Sequence, residues 1–306
     1  MIAKIVVPLD GSPFAEHAIP AAVAIARRTN AALEFVSICR PPFSSPYLRG
    51  VRVYEDASLQ TAVDGHRAYL AAQVARVREQ DGLDCVTAVH VGPILETLLA
   101  HLAATAADLV VMTTHGGNSP NTTWLGSTTD RMIREAQVPV LLIRPATARG
   151  ALSLEGTVRT ILAPVDVSHA AEHVVRVAGD VAQLFDAEVL LFCAVPVGPH
   201  PLRAPLAVFR NEDVHLLEQE ANAMRQQLEI LADGLRSRGV RVSVRVEIHD
   251  HAATAIEEMA VSQRADLVVM ATHGRGGVVR YFLGSVADKV VRSGSTAVLL
   301  IGPGAG

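Results

Sequence analysis

The chain has 306 residues, half of them hydrophobic, which is enough for two domains that each bury a core of their own. Its formal net charge of -4 comes with Lys and Arg scattered rather than gathered into runs, which excludes the basic footprint of a nucleic-acid binder, and no apolar stretch approaches a membrane span. Aromatic residues make up only 4% and the apolar residues are mostly Ala, Val, Leu and Ile, which suits strands covered on both faces by helices, an α/β fold.

In chain order, the first predicted strand covers residues 3–9 and runs out at Asp10; Ser12 then reads as a helix N-cap and Pro13 as the first helical residue. The short apolar run that Asp10 ends has no small-residue cleavage site after it, so a soluble cytoplasmic protein is expected. A second strand near 31–39 leads into a Pro-rich insertion, Arg40 to Glu55, whose composition predicts irregular structure: a lid, a partner surface or a variable loop without a task. Strands near 84–91, 108–114 and 138–143 complete the first half, with helical spacing between them. A segment of Pro, Ala, Gly and Thr between Arg144 and Thr157 marks the boundary, giving domains 1–147 and 157–306.

The second half repeats this plan, with strands near 158–165, 187–195, 240–248, 266–272 and 296–301 and a second Pro-rich insertion, Pro196 to Arg210. Lys4-Ile5-Val6-Val7-Pro8-Leu9-Asp10 returns as Thr160-Ile161-Leu162-Ala163-Pro164-Val165-Asp166, an offset of 156, each followed by Ser12 or Ser168. Ala107 to Gly116 returns as Ala265 to Gly274, an offset of 158. So near-constant an offset means duplication of a whole domain, and short β-branched runs alternating with helical patterns are the form of βαβ units around a parallel five-stranded sheet. Val240, Val242, Val244, Val246 and Ile248 alternate with Arg241, Ser243, Arg245 and Glu247, which predicts a strand with one solvated face at a sheet edge. The last strands, Val138 to Ile143 and Thr296 to Ile301, are apolar nearly throughout; left as edges they would be open to another chain, and pairing them with each other covers both.

The most specific pattern follows the fourth strand of each half. Thr114-His115-Gly116 is followed by nine residues, Gly117 to Leu125, and then Gly126-Ser127; Thr272-His273-Gly274 is followed by Arg275 to Leu283 and then Gly284-Ser285. Glycine lets backbone approach a ligand, and the free amides and dipole of a helix start favour an anion, so this is a phosphate cradle in outline. The bland alternative is a capping box, since Ser127 and Ser285 stand three residues before Asp130 and Asp288. Two occurrences at one spacing, each behind Thr-His-Gly, favour the ligand reading. Asp10 and Asp166, where the first strand of each half runs out, are placed to accept a hydrogen bond from a ribose hydroxyl or an adenine amino group, or else to stabilise a turn.

Other chemistries find little footing. His115 and His273 invite a catalytic reading because imidazole as a group titrates near neutrality, yet a strand-end His more commonly bonds backbone, and neither has a metal-ligand neighbour at the right spacing or a Ser-His-acid arrangement. The loops lack the Gly-Lys-Ser/Thr of a P-loop, so efficient phosphoryl transfer is not indicated. Cys39, Cys85 and Cys193 lie far apart, which suggests buried thiols rather than disulfides or a zinc site.

At these residues both halves resemble the universal stress protein family over nearly their whole length. The family's nucleotide-binding members carry Gly, two residues, Gly, nine residues, then Gly followed by Ser or Thr; here the second Gly is Gly116 and Gly274, the closing pair is Gly126-Ser127 and Gly284-Ser285, and Thr113 and Ala271 stand in place of the first Gly. The resemblance implies a Rossmann-like sheet of order 3-2-1-4-5 in each half, with an adenine nucleotide between strands 1 and 4 and Mg²⁺ arriving with its phosphates. It implies that backbone at Ile38 and Ala194 meets the adenine edge, that Val7, Pro8, Ala163 and Pro164 line the base pocket, and that Met112, Met270, Thr128 and Val286 flank the glycines. It also implies pairing of the two domains through their last strands inside one chain, with a further homodimer as an allowed assembly. Arg275 and Arg280 give the second loop charge that the first loop lacks, which favours the second half for a triphosphate. The expected role is a stress-response or signalling module that binds ATP, ADP or AMP; the alternatives are a slow ATPase and a scaffold or chaperone-like protein working through its Pro-rich loops.

Overall fold

The computed structural model of the protein describes residues 2–40, 56–114, 125–144, 158–166, 170–197, 211–272 and 283–302, and divides into two compact units, Met1–Glu155 and Gly156–Gly306. In the first unit β1 (Lys4–Pro8), β2 (Ala32–Cys39), β3 (Cys85–Val91), β4 (Leu109–Thr113) and β5 (Val140–Ile143) pair in parallel in the order β3-β2-β1-β4-β5. In the second, β6 (Thr160–Pro164), β7 (Glu188–Val195), β8 (Arg241–Ile248), β9 (Leu267–Ala271) and β10 (Ala297–Ile301) pair in parallel in the order β8-β7-β6-β9-β10. Counted within each unit, both orders are 3-2-1-4-5, and every predicted strand is present.

The apolar runs form strands because both faces are covered: Ile5, Val6, Val7, Val110, Val111, Ile161, Leu162 and Ala163 are wholly excluded from water. The covering helices are α1 (Ala18–Thr29), α2 (Asp56–Asp81), α3 (Ile94–Ala104) and α4 (Ser127–Glu135) in the first unit, and α5 (Ala170–Phe185), α6 (Asn211–Arg236), α7 (Ala252–Ser262) and α8 (Ser285–Ser293) in the second. Their arrangement follows from strand periodicity. Ser37 and Glu34 of β2 stand three positions apart, an odd offset, and so project from opposite faces; Ser37 bonds His66 of α2 while Glu34 meets His101 of α3. The edge position predicted for residues 240–248 is observed, with Arg241, Ser243, Arg245 and Glu247 exposed and the intervening valines half-buried.

Two local expectations are corrected. Pro13 does not open a helix: it lies in a turn, a single 3-10 turn (Ala15–His17) follows, and α1 begins at Ala18. Ser12 nevertheless supplies a cap-like bond, its Oγ accepting from the Ala15 amide at 3.2 Å. Of the three cysteines none forms a disulfide, but Cys85 is only half-buried, and burial together with the neighbouring Asp84 and Asp81 pushes its thiol up to about 11. None of the described helices is long and apolar enough to cross a membrane.

Candidate functional site

At their amino ends the two central strands of each unit are clamped together. Asp108 Oδ2 accepts from the amides of Ala3 and Lys4 at 2.7 and 2.9 Å, and Asp266 Oδ2 accepts from those of Arg159 and Thr160 at 2.7 and 3.0 Å. This is what the aspartate of the repeated Ala-Asp-Leu motif does, a role invisible until the strands are placed side by side. Towards the carboxyl ends the strands part. The β1–β4 ladder runs only over Ile5↔Leu109 and Val6↔Val110, whereas β1–β2 stays paired from Lys4↔Ala32 to Pro8↔Val36. The β6–β9 ladder likewise covers Ile161↔Leu267 and Leu162↔Val268 alone. Each sheet therefore opens between its first and fourth strands, where the connections leave in opposite directions and open α/β sheets bind ligands.

On the far side of each crevice the fourth strand is followed by a helix, α4 or α8. Gly126 donates its amide to the Thr114 carbonyl at 2.9 Å, and Gly284 donates to the Thr272 carbonyl at 2.8 Å, so the chain returns to the strand it left. In both helices the N-cap is the glycine and the serine is the first helical residue. The capping-box alternative thus fails in register. Glycine brings no side-chain oxygen to the first-turn amides, and Asp130 and Asp288 instead engage Arg134 and Arg292 one turn on, at 3.1 and 2.9 Å. Ser127 and Ser285 are exposed, and Thr128 and Val286 half-buried, so both helix starts remain accessible.

The near wall begins at the end of the first strand. Pro8 and Pro164 are half-buried, as are Ile38 of β2 and Ala194 of β7, while Val7 and Ala163 lie wholly inside the sheet and present no surface to a base. Asp10 is exposed; its Oδ1 accepts from the Ser12 amide at 2.9 Å and the Ser12 hydroxyl at 2.5 Å, so it stabilises the turn at Gly11, where φ is +85°. Asp166 is half-buried at the matching position. On the fourth strands, Met112, Thr113 and Met270 are buried and Ala271 half-buried, and the Thr113 carbonyl accepts from Thr129 Oγ1 at 3.2 Å. His115, Gly116, His273, Gly274 and Arg275, the loops 117–124 and 275–282, and most of both Pro-rich insertions lie outside the described residues.

Two groups of polar residues in the first unit were not singled out from sequence. Beside the Asp10 turn, Glu16 accepts from Tyr69 at 3.3 Å, Gln73 at 3.0 Å and both terminal nitrogens of Arg76 at 3.1 Å, which docks α2 on the 3-10 turn that precedes α1. Burial, the charge and hydrogen bond of Glu16 and the charge of Asp10 together push the Tyr69 hydroxyl well above the ordinary tyrosine range. Next to it, Ser37 Oγ donates to the Leu9 carbonyl at 2.6 Å and meets His66 Nδ1 at 2.7 Å. On the opposite face, Lys4 Nζ lies 2.8 Å from Glu34, whose carboxylate is 3.2 Å from His101 Nε2, and His101 Nδ1 is 2.9 Å from His90 Nε2. The second unit has Thr160, Leu190, Met259 and Glu247 at those four places, and Cys193 and Ala221 for Ser37 and His66. Comparing the two halves position by position would have found both groups, because a repeat that turns charged in one copy is a signal in itself.

A model of the universal stress protein family matches residues 1–144 and again residues 157–302. The chain is 29% identical to universal stress protein Rv1996 of Mycobacterium tuberculosis, over 97% of this chain and 94% of that protein, and 26% identical to a universal stress protein of Mycolicibacterium smegmatis, over 98% and 97%. Its fold is similar to a crystal structure of a universal stress protein from Archaeoglobus fulgidus, with a TM-score of 0.67 at 15% identity over 98% of this chain and 96% of that one.

Proposed function

The chain belongs to the universal stress protein family, and we propose that its crevices bind an adenine nucleotide, the second unit foremost, as a stress-response or signalling module. The observation that carries this reading is the crevice built twice: strands that part beyond Val6↔Val110 and Leu162↔Val268, a carboxylate at the end of the first strand, and a helix start capped by glycine. These groups suit the parts of a nucleotide. The first-turn amides of the helices that open at the exposed Ser127 and Ser285 suit a phosphate, and Asp10 and Asp166 suit a ribose hydroxyl or base amino group. The half-buried edges at Ile38 and Ala194 suit the base. Arg275 and Arg280 give the second loop the charge that a triphosphate favours, and Mg²⁺ would arrive with the phosphates rather than on protein ligands.

The proposal is tested by titrating the full chain with ATP in a calorimeter and by mass spectrometry of whatever the purified protein releases on denaturation. Binding that Asp166→Ala and Ser285→Pro, which removes an amide from the helix start while Pro is tolerated at that position, weaken at least tenfold supports it. No heat up to millimolar ATP would leave the scaffold reading, which the buried Thr113 in the place of a family glycine favours for the first unit. Turnover of ATP that those two substitutions abolish would make the protein a slow ATPase.

A further inference from the structure

We propose that the two crevices read the base differently, and that His66 makes the first one selective for a base carrying an exocyclic amino group. The inference rests on the nucleotide reading above. Its foundation is the level at which α2 meets the sheet. The helix is held at its far end by Arg27 to Asp81 at 3.1 Å and by Arg78 Nε to Asp84 at 2.7 Å. It rises about 39 Å for its length, against about 26 Å for β2, so its first turns stand beyond the strand ends. His66 therefore sits level with Ser37, two residues from the end of β2 and adjacent to Ile38. Ser37 in turn bonds the carbonyl of Leu9, the residue between Pro8 and Asp10.

The protons in this chain of bonds can be counted. Ser37 is 1% exposed and its hydroxyl has one proton; the Leu9 carbonyl, 2.6 Å away, can only accept it. His66 Nδ1, 2.7 Å from the same oxygen, must then donate. A neutral imidazole carries a single N–H, so His66 Nε2 is left with a lone pair. An acceptor on this wall bonds the amino group of adenine and repels the oxo group of hypoxanthine, which has the same outline. At the same level the second unit has Cys193 and Ala221, in an apolar cluster of Val195, Leu217 and Ala221 flanked by Met224 and Val246. Those side chains carry no ring nitrogen, so at this level the second wall lacks the acceptor that His66 supplies.

The test uses the full chain carrying Asp166→Ala, which silences the second crevice, titrated with ATP and with ITP. ATP should bind at least about tenfold more tightly, the cost of leaving an acceptor unpaired, and adding His66→Ala should bring the two within about threefold by the same reasoning. A ratio that His66→Ala leaves unchanged overturns the inference while the nucleotide reading stands; failure of the unmutated chain to bind either nucleotide overturns both. A readout that needs no ligand is nitrogen-15 NMR of the His66 ring at mildly alkaline pH. Protonated Nδ1 with bare Nε2 is expected, and the opposite tautomer overturns the inference whatever binds.

Discussion

In the first unit α2 bonds Ser37 of β2 through His66 and, separately, Glu16 through Tyr69, Gln73 and Arg76; in the second unit α6 carries Ala221, Met224, Leu228 and Leu231 at the matched places and β7 carries Cys193 for Ser37. The backbone scarcely registers the exchange, since both helices keep the same length and both strands the same register. The same contrast recurs on the opposite face, where Glu34 and His101 of the first unit answer to Leu190 and Met259 of the second. An α/β layer therefore accommodates either solution, and the polar one leaves Gln73 Oε1 buried without a hydrogen-bond partner. What differs is how each fails. An apolar wall loses packing when trimmed, whereas a polar wall is penalised for every partner left behind.

The largest effect should come from breaking the buried polar group in halves. Glu34 is 6% exposed and His101 8%, so Glu34→Leu strands Lys4 and His101 and should lower stability by about 3–4 kcal/mol. Adding His101→Met, which copies Met259 of the second unit beside the copied Leu190, should recover most of that loss in urea unfolding; equal losses from the single and double variants would show that the group is not one unit. On the apolar side, Leu228→Ala removes a side chain that is 1% exposed and should cost about 3 kcal/mol, read as a shifted urea midpoint. Arg76→Leu copies Leu231 of the second unit and takes two donors from Glu16. Because Arg76 is 42% exposed, about 1 kcal/mol is expected, and no change in midpoint would mean that Tyr69 and Gln73 suffice.

The smallest effect is confined to alkaline solution. The folded protein holds the Tyr69 proton beyond the pH at which an unfolded tyrosine, near about 10, gives it up. The unfolded chain thus loses a proton that the folded one keeps, so this contribution is complete below about pH 10 and is lost as the pH rises above it. Ultraviolet titration should find one of the four tyrosines ionising after the others, and Tyr69→Phe should remove that last step.

The turn after Asp10 and the two glycine-capped helix starts mark how far local pattern reaches. Strand bounds, the duplication, the edge strand at 241–248 and the Gly-Ser helix starts are written in neighbours and periods, and hydrophobic alternation of period 2 survives folding unchanged. The placement of Ser127 and Ser285 one residue inside their helices escaped the same reading, because a capping box and a glycine cap look alike until the register is known.

By itself, then, the sequence determined what each segment is and that the plan is used twice. Only the tertiary structure decided that Asp108 and Asp266 clamp the strand starts, that the sheets open beyond Val6 and Leu162, and that Ser37 stands between Leu9 and His66. Those are contacts between residues tens to more than a hundred positions apart, set by strand order and helix level, and no local spacing encodes a distance that exists only once the layers are stacked.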